Sequence, residues 1–456
     1  MPVNLIIRNP LDWDALAIAR NANGANRREL SDYVRFLKAQ AVWNDLGFFR
    51  DFANAKSLNH SFGPNIAFTR ASIATYFDSG GTLRTAAAGE PRIDHDPVAA
   101  GNPSLGLLIE EARTNSLRNS QGGGAVVGTP GTVPTHWNSV EGAGITREIV
   151  ASGTLSGFSY VDVKYSGTNS TGSTIQFALN FESFNQINAV TGQVWAQSAY
   201  IALVGGSVTG LTSLGLDIVE RAAAGTFLTS SGTSLLSGLT GNLQRISATR
   251  TLTDATTERI SSRIVSNIAN GNSIDITLRI AAPQLEQGAF ATSYIPTTTV
   301  AVPRQADSAI VNPISSFYNQ AEGTLFAEAS SFSSAANASS VALTAGGSAD
   351  ERIQMRVRGS AVSIVAAAAT SFVSSSADPA ANVANKRAAA AKLNDFAVST
   401  NGGAAETDTA GDMPSVTHLV AGALSTGLTQ PLNGHIRKIA YWPRRLSNAL
   451  LQTLTT

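Results

Sequence analysis

Ser273-Ile274-Asp275-Ile276-Thr277-Leu278-Arg279-Ile280 decides how the chain is read. Ile274, Ile276, Leu278 and Ile280 alternate with Asp275, Thr277 and Arg279. That period of two sends apolar side chains to one face of a strand and polar ones to the other, as in an antiparallel sheet with one wet side. Working outward, Phe158 to Tyr165, Thr174 to Phe181, Gln193 to Leu203 and Gln244 to Thr253 also suit strands. Gly/Ser/Thr clusters separate them, as at 167–173 and 230–241. Short strands punctuated by turn residues predict an antiparallel β-sandwich.

Beyond it, Pro296, Pro303 and Pro313 around Thr297-Thr298-Thr299 predict an extended connector over 298–315. Strands resume at Gly323 to Ser330. Glu351 to Arg358 alternates, with Ile353, Met355 and Val357 on one side and Arg352, Gln354, Arg356 and Arg358 on the other. Lys386 to Lys392 and Asp395 to Thr400 flank Leu393-Asn394. His435 to Tyr441 reads as a last strand, stopped by Pro443, and Ser447 caps a short terminal helix. No repeat of fixed period occurs, which weighs against a β-helix.

The opening of the chain has a different rhythm. Asp12 to Arg20 and Arg27 to Ala55 carry helical spacing, with Leu30, Val34, Leu37 and Ala41 followed by Leu46, Phe49 and Phe52. So aromatic a stripe needs a partner surface, either the chain's own next domain or a larger assembly. Phe68 to Phe77, the turn Asp78-Ser79-Gly80-Gly81 and Thr82-Leu83-Arg84 then read as a hairpin, and Asp94-His95-Asp96-Pro97 as a turn rather than a metal site.

Composition narrows the function classes. At 456 residues, roughly 150 per domain predicts about three domains. Lys+Arg 32 balance Asp+Glu 32, which argues against a nucleic-acid binder. The absence of cysteine excludes thiol nucleophiles, cysteine metal sites and disulfides, and fits assembly in a reducing cytoplasm. His60, His95, His136, His418 and His435 show no i,i+4 pair, so neither metal nor cofactor is expected. Met1 to Arg8 is too soon interrupted for a signal peptide, and the apolar stretch 361–373 falls short of a membrane span.

Several segments resemble a known family. Phe68-Thr69-Arg70-Ala71-Ser72 with Ala74-Thr75-Tyr76, Pro91-Arg92-Ile93-Asp94-His95-Asp96-Pro97, and Gly106-Leu107-Leu108-Ile109-Glu110-Glu111-Ala112-Arg113-Thr114-Asn115 look like the opening of a module common in tailed-phage fibre and spike proteins. Pro283-Gln284-Leu285-Glu286 and Gly288 to Thr297 resemble the close of that family's carbohydrate-module-like sandwich. Glu322 to Phe326, Asn394 to Ala397 and Gly434 to Pro443 look similar to a laminin-G or concanavalin-like sandwich.

The helical spacing of 1–60 lies outside the resemblance and is expected to be an anchor; for the rest the resemblance implies a mainly β chain, with an extended arm and hairpin over 61–118 leading into a carbohydrate-module-like sandwich over 119–297, a linker over 298–315 and a lectin-like sandwich over 316–456. It implies a non-enzymatic virion fibre or spike subunit, assembled in the host cytoplasm, that binds host surface polysaccharide. A homotrimer is expected, docked to other virion proteins through the N-terminal helices, with Leu46, Phe49 and Phe52 as anchor candidates. A structural decoration or collar protein and a polysaccharide depolymerase are the alternatives.

Candidate chemistry is weighed on that background. A glycosidase needs two carboxylates facing each other roughly 5–9.5 Å apart. Glu110 and Glu111 are strand neighbours pointing opposite ways, so pairing with Arg113 is the expectation. No nucleophile elbow stands out. Sugar sites combine an exposed ring with amide, hydroxyl and carboxylate groups, which selects Trp137, Asn138, Tyr160 and Tyr165 as glycan-binding candidates against core packing. Trp195, inside an apolar strand, is expected in the core. Arg352, Arg356 and Arg358 form a second candidate, an outward guanidinium face for acidic glycan against an ordinary solvated sheet surface.

Overall fold

The computed structural model describes residues 27–58, 62–333, 337–347, 350–358, 362–367, 369–374 and 379–456. The expected helix over Asp12 to Arg20 lies outside them. The described chain is mainly β, its sheets antiparallel, with few helices. It divides into two compact units. One comprises Thr82–Arg84 and Ala112–Arg304; the other comprises the described residues up to Gly81 together with Thr85–Glu111 and Gln305–Thr456.

In the Ala112–Arg304 unit, Ser273–Gln287 is the middle strand of a five-stranded sheet. Its neighbours are Val194–Gly206 and Phe158–Thr168, with Gln244–Thr251 and Ile145–Leu155 at the edges. A six-stranded sheet faces it, in the order Phe227–Ser234, Leu211–Arg221, Arg259–Ile268, Ile175–Asn180, Asn138–Glu141, with Ile187–Asn188 also paired to Arg259–Ile268. The alternation works as read. Ile274, Ile276, Leu278 and Ile280 share a core with Leu214, Leu216, Ile218, Ile260 and Ile264, and Trp195 is there too. The segment after the long strand is pinned by its own polar side chains. Gln284 accepts from the Ile295 amide at 2.7 Å, and Glu286 accepts from the Thr292 amide and hydroxyl, each at 2.7 Å. The fibre-like residues Gln284, Glu286, Thr292 and Ile295 thus close the sandwich.

The other unit pairs an eight-stranded with a seven-stranded sheet. The first runs Glu406–Asp408, Asp395–Thr400, Asn385–Lys392, Glu322–Ser331, Gly434–Trp442, Ser104–Ile109, Ile93–His95, with Phe48–Asp51 also paired to Gly434–Trp442. The second runs Ala67–Thr69, Ser308–Val311, His418–Ala421, Ser339–Thr344, Arg352–Arg356, Val362–Ala366, Ala369–Val373. Helices Arg27–Ala39 and Asn448–Thr455 add a third layer over the eight-stranded sheet, where Ala388, Ala390, Ala397 and Ala440 leave room for Leu37, Leu451 and Leu454. Ser447 caps the terminal helix, accepting from the Leu450 amide. Leu393-Asn394 closes a hairpin, with Asn394 at φ 56°.

Three boundaries are corrected. Residues 1–60 are not a purely helical anchor: Phe48–Asp51 is a strand paired with Gly434–Trp442. Consecutive strand residues point to opposite sides, so Phe48 enters the core between the sheets while Phe49 joins the helix layer. The expected stripe is divided between two cores, Leu46 and Phe49 in the helix layer and Phe52 between the sheets. Residues 61–118 are not an arm leading only to the first sandwich, because Ser104–Ile109 and Ile93–His95 belong to the eight-stranded sheet. Residues 298–315 are not a bare connector: Val302–Arg304 pairs with Arg113–Asn115, and Ser308–Val311 with Ala67–Thr69.

The opening motif meets in one buried cluster. Arg70 pairs with Asp307 at 3.0 Å, Arg92 with Asp307 at 2.6 Å, and Arg92 with Glu110 at 2.8 Å, every side chain fully buried. Glu110 thus pairs with Arg92, and the Arg113 guanidinium stacks on Phe290 at 4.8 Å. Glu111 takes a separate partner, accepting from the Asn433 amide at 3.0 Å. Asp94 accepts from the Phe77 amide and contacts His435 Nε2 at 2.9 Å, while Asp96 caps the turn at Val98.

Candidate functional site

The outer face of the six-stranded sheet gathers polar groups around one exposed ring. Leu214, Leu216 and Ile218 face the core, so Asp217, Val219 and Arg221 face out. Ile260 and Ile264 face the core, so Arg259, Ser261 and Arg263 face out. Phe177 and Leu179 do the same for Asn180. Strand register then builds two rows. Gly232, Asp217, Arg263, Asn180 and Asn138 form one. Phe227, Arg221, Arg259 and Asn188 form the other.

Side-chain contacts knit the rows together. The Ser230 hydroxyl donates to Asp217 at 3.0 Å. Arg263 donates to Ser230 at 3.3 Å and lies 3.8 Å from the Asp217 carboxylate. Its guanidinium sits 5.5 Å from the Phe227 ring centre, and Phe227 is 50% exposed. Arg221 stacks on Phe184 at 4.0 Å, and donates to Ser261 at 2.8 Å and to the Gly225 carbonyl at 2.9 Å. Burial pulls the Arg221 guanidinium down to about 10, with the charge of Arg263 adding to it. Burial also lowers Arg263, and Asp217 works against that. Asn180 is buried with its Oδ1 atom unbonded, directly opposite Arg263. The arrangement can cover an apolar sugar face with Phe227 and read hydroxyls with Asp217, Ser230 and Arg263.

Of the residues selected from sequence, only Asn138 falls at this site, exposed at the end of the first row. Trp137 is not an exposed ring: it is 7% exposed, packed edge-on to Phe181 at 4.9 Å, its Nε1 donating to the Asn119 carbonyl. Tyr165 is 1% exposed and stacked on Phe177 at 4.0 Å, because its position alternates inward with Val161 and Val163. Tyr160 is half-buried on the opposite sheet, away from Asn138. Arg279 lies 3.9 Å from its ring centre and is held by two 2.8 Å bonds to Asp162.

Leu46, Phe49 and Phe52 are buried in the chain's own cores, which is the own-domain packing alternative, and they present no docking stripe. On the arginine strand, Ile353, Met355 and Val357 face the core as expected. The opposite side is not an open guanidinium face: Arg356 and Arg358 are each 8% exposed. Gln430 lies against it, accepting from Gln354 at 2.7 Å and from the Ser339 amide at 3.1 Å. Arg352 donates to Ser363 at 3.0 Å.

The sequence reading missed Asp217, Arg221, Phe227, Arg259 and Arg263. A signal existed in Arg259-Ile260-Ser261-Ser262-Arg263-Ile264, where the arginines share one strand face. Their opposition to Arg221 and Phe227 depends on register between strands.

No family model and no curated protein matches the chain. Distant likeness to solved structures exists. The tripod from the baseplate of bacteriophage Tuc2009 is 12% identical, over 76% of this chain and 99% of that one, with a TM-score of 0.28. A carbohydrate-binding module of the β-sandwich superfamily is 15% identical, over 48% of this chain and 85% of that one, with a TM-score of 0.24. The MgGH51 α-L-arabinofuranosidase is 15% identical, over 48% of this chain, with a TM-score of 0.26, and the match spans 32% of that enzyme's length. Likeness at this level carries no argument about ligand or activity.

Proposed function

We propose that the chain is a non-enzymatic virion fibre or spike subunit that adsorbs to a host surface glycan through the outer face of the six-stranded sheet. The observation that carries the reading is the exposed Phe227 ring beside Arg263, which is linked to Ser230 and Asp217, a ring-plus-polar set suited to a pyranose. The fibre-like motifs over 68–115 and 283–297 supply the virion setting, in which other virion proteins are partners and a homotrimer is the assembly.

The test is an array of bacterial surface polysaccharides probed with the full chain. Phe227→Ala should weaken binding at least tenfold without lowering the melting temperature, because half of that ring already faces water. Unchanged binding by both Phe227→Ala and Asp217→Ala would remove this face from the reading. Release of reducing ends from a bound polysaccharide would establish a depolymerase instead.

A further inference from the structure

We infer that this face selects acidic glycans, seating an anionic oxygen group, carboxylate or sulfate ester, among Arg221, Arg259 and Arg263. The inference rests on the glycan-binding reading and adds the class of sugar.

Arg221 and Arg259 stand directly opposite each other on neighbouring strands. Like charges so placed repel across an antiparallel pair. Arg263 lies on the same face of the Arg259 strand and is near enough for its charge to act on Arg221. These cations are also withdrawn from water: Arg221 is 5% exposed and the Arg263 side chain 13%. Withdrawing like charges together is unfavourable unless counter-charge meets them.

The chain supplies little counter-charge. Asp217, 3.8 Å from Arg263, is the carboxylate of this face, and among the described residues none forms an ion pair with Arg221 or Arg259. The neighbouring acids are committed elsewhere. Glu220 accepts from Arg250 at 2.8 Å and from the Thr257 hydroxyl at 2.6 Å. Glu182 is bonded twice by Arg118, at 3.0 and 2.7 Å. Three guanidiniums therefore meet one carboxylate.

Donor capacity is left over as well. Arg221 uses Nε on Ser261 and Nη1 on Gly225, and Arg259 uses Nε on Asn185 and Nη1 on Glu258, which leaves each Nη2 atom unengaged among the described residues. Arg263 Nε is buried without a partner. The rings of Phe184 and Phe227 hold two of the guanidiniums in place. Planar guanidinium forks match carboxylate and sulfate oxygens in pairs of bonds. The exposed edge of Phe227 lies beside them for the rest of the sugar.

The experiment is calorimetric titration of the full chain with tetragalacturonate, its carboxyl-reduced counterpart, a sulfated dextran oligomer and inorganic sulfate. Wild type should bind at least one acidic oligomer tenfold or more tighter than the carboxyl-reduced one, with the advantage shrinking as salt is added. Arg259→Gln, at a half-exposed position, should remove that advantage. Arg221→Lys, which keeps the charge and loses the fork, should reduce it. Equal binding of acidic and reduced oligomers, unaltered by either variant, would overturn acid selection and leave the glycan reading standing. Arginine-dependent binding of inorganic sulfate without oligosaccharide binding would keep the anion site and bring down the glycan reading. Anion binding that no arginine variant changes, or none at all, would overturn the inference.

Discussion

Arg92 donates to the Asp307 carboxylate at 2.6 Å across 215 residues of sequence, with both side chains fully buried. Asp307 also pairs with Arg70 through Oδ1, and the Oδ2 that takes Arg92 accepts from the Glu110 amide at 2.9 Å. One carboxylate thus gathers three of the segments that carry the fibre-like resemblance. Their residues serve architecture, tying distant segments together inside the unit that holds the C-terminal sandwich.

Asp307→Asn should cost about 3–5 kcal/mol, because removing one partner strands buried guanidiniums without counter-charge. Urea unfolding followed by circular dichroism measures it. A loss below about 1 kcal/mol would mean the cluster relaxes around the change.

Acid sensitivity should appear in the Ala112–Arg304 unit through Glu220. Burial alone would raise its carboxyl, but hydrogen bonds from Thr257, the Asp254 and Thr253 amides and Arg250 outweigh it and bring it down from 4.5 to about 2. A depressed carboxylate contributes stability that is fully present above its unfolded value and is lost as pH falls toward the folded one. The wild-type melting temperature should therefore fall between about pH 4.5 and 2 more steeply than that of Glu220→Gln. Parallel pH profiles would rule this out.

Phe49→Ala should destabilise the unit that holds the C-terminal sandwich by about 3–5 kcal/mol, the usual cost of emptying a buried aromatic site. Phe49 is fully buried beside Trp442, whose Nε1 donates to the Val42 carbonyl at 2.8 Å. Deleting residues 1–55 removes the Phe48–Asp51 strand as well, so tryptophan emission should shift to the red. An unshifted spectrum and an unchanged melting temperature would show that this layer is dispensable.

Trp137 should behave as core rather than as a sugar platform. Trp137→Ala should lower stability by about 3–5 kcal/mol, and Trp137→Phe, which keeps the contact with Phe181, should leave glycan binding intact. Selective loss of binding in Trp137→Phe with the fold unaltered would return the ring to the site.

Strand identity was legible wherever a strand alternates cleanly or is continuously apolar. Ser273 to Ile280 and Ile353 to Val357 needed only the period-two geometry of a strand, and Val194 to Leu203 only its largely apolar run. Phe227–Ser234 was hidden by its own composition: its serines and glycine read as a spacer, and its one aromatic stands at the edge of that cluster. Trp137 and Tyr165 misled because a ring near a glycine-rich loop has the same local signature whether it points in or out.

The sequence by itself determined the β-sandwich class, the capped terminal helix and which side of Arg352–Arg356 enters a core, since each follows from residues a few positions apart. Only tertiary structure decided what covers the far side of that strand, which chain segment completes each sheet, and which residues share the candidate site. Phe227, Arg221 and Arg259 lie on three strands, and their meeting is set by hydrogen-bond register, a relation between distant segments that no local pattern encodes.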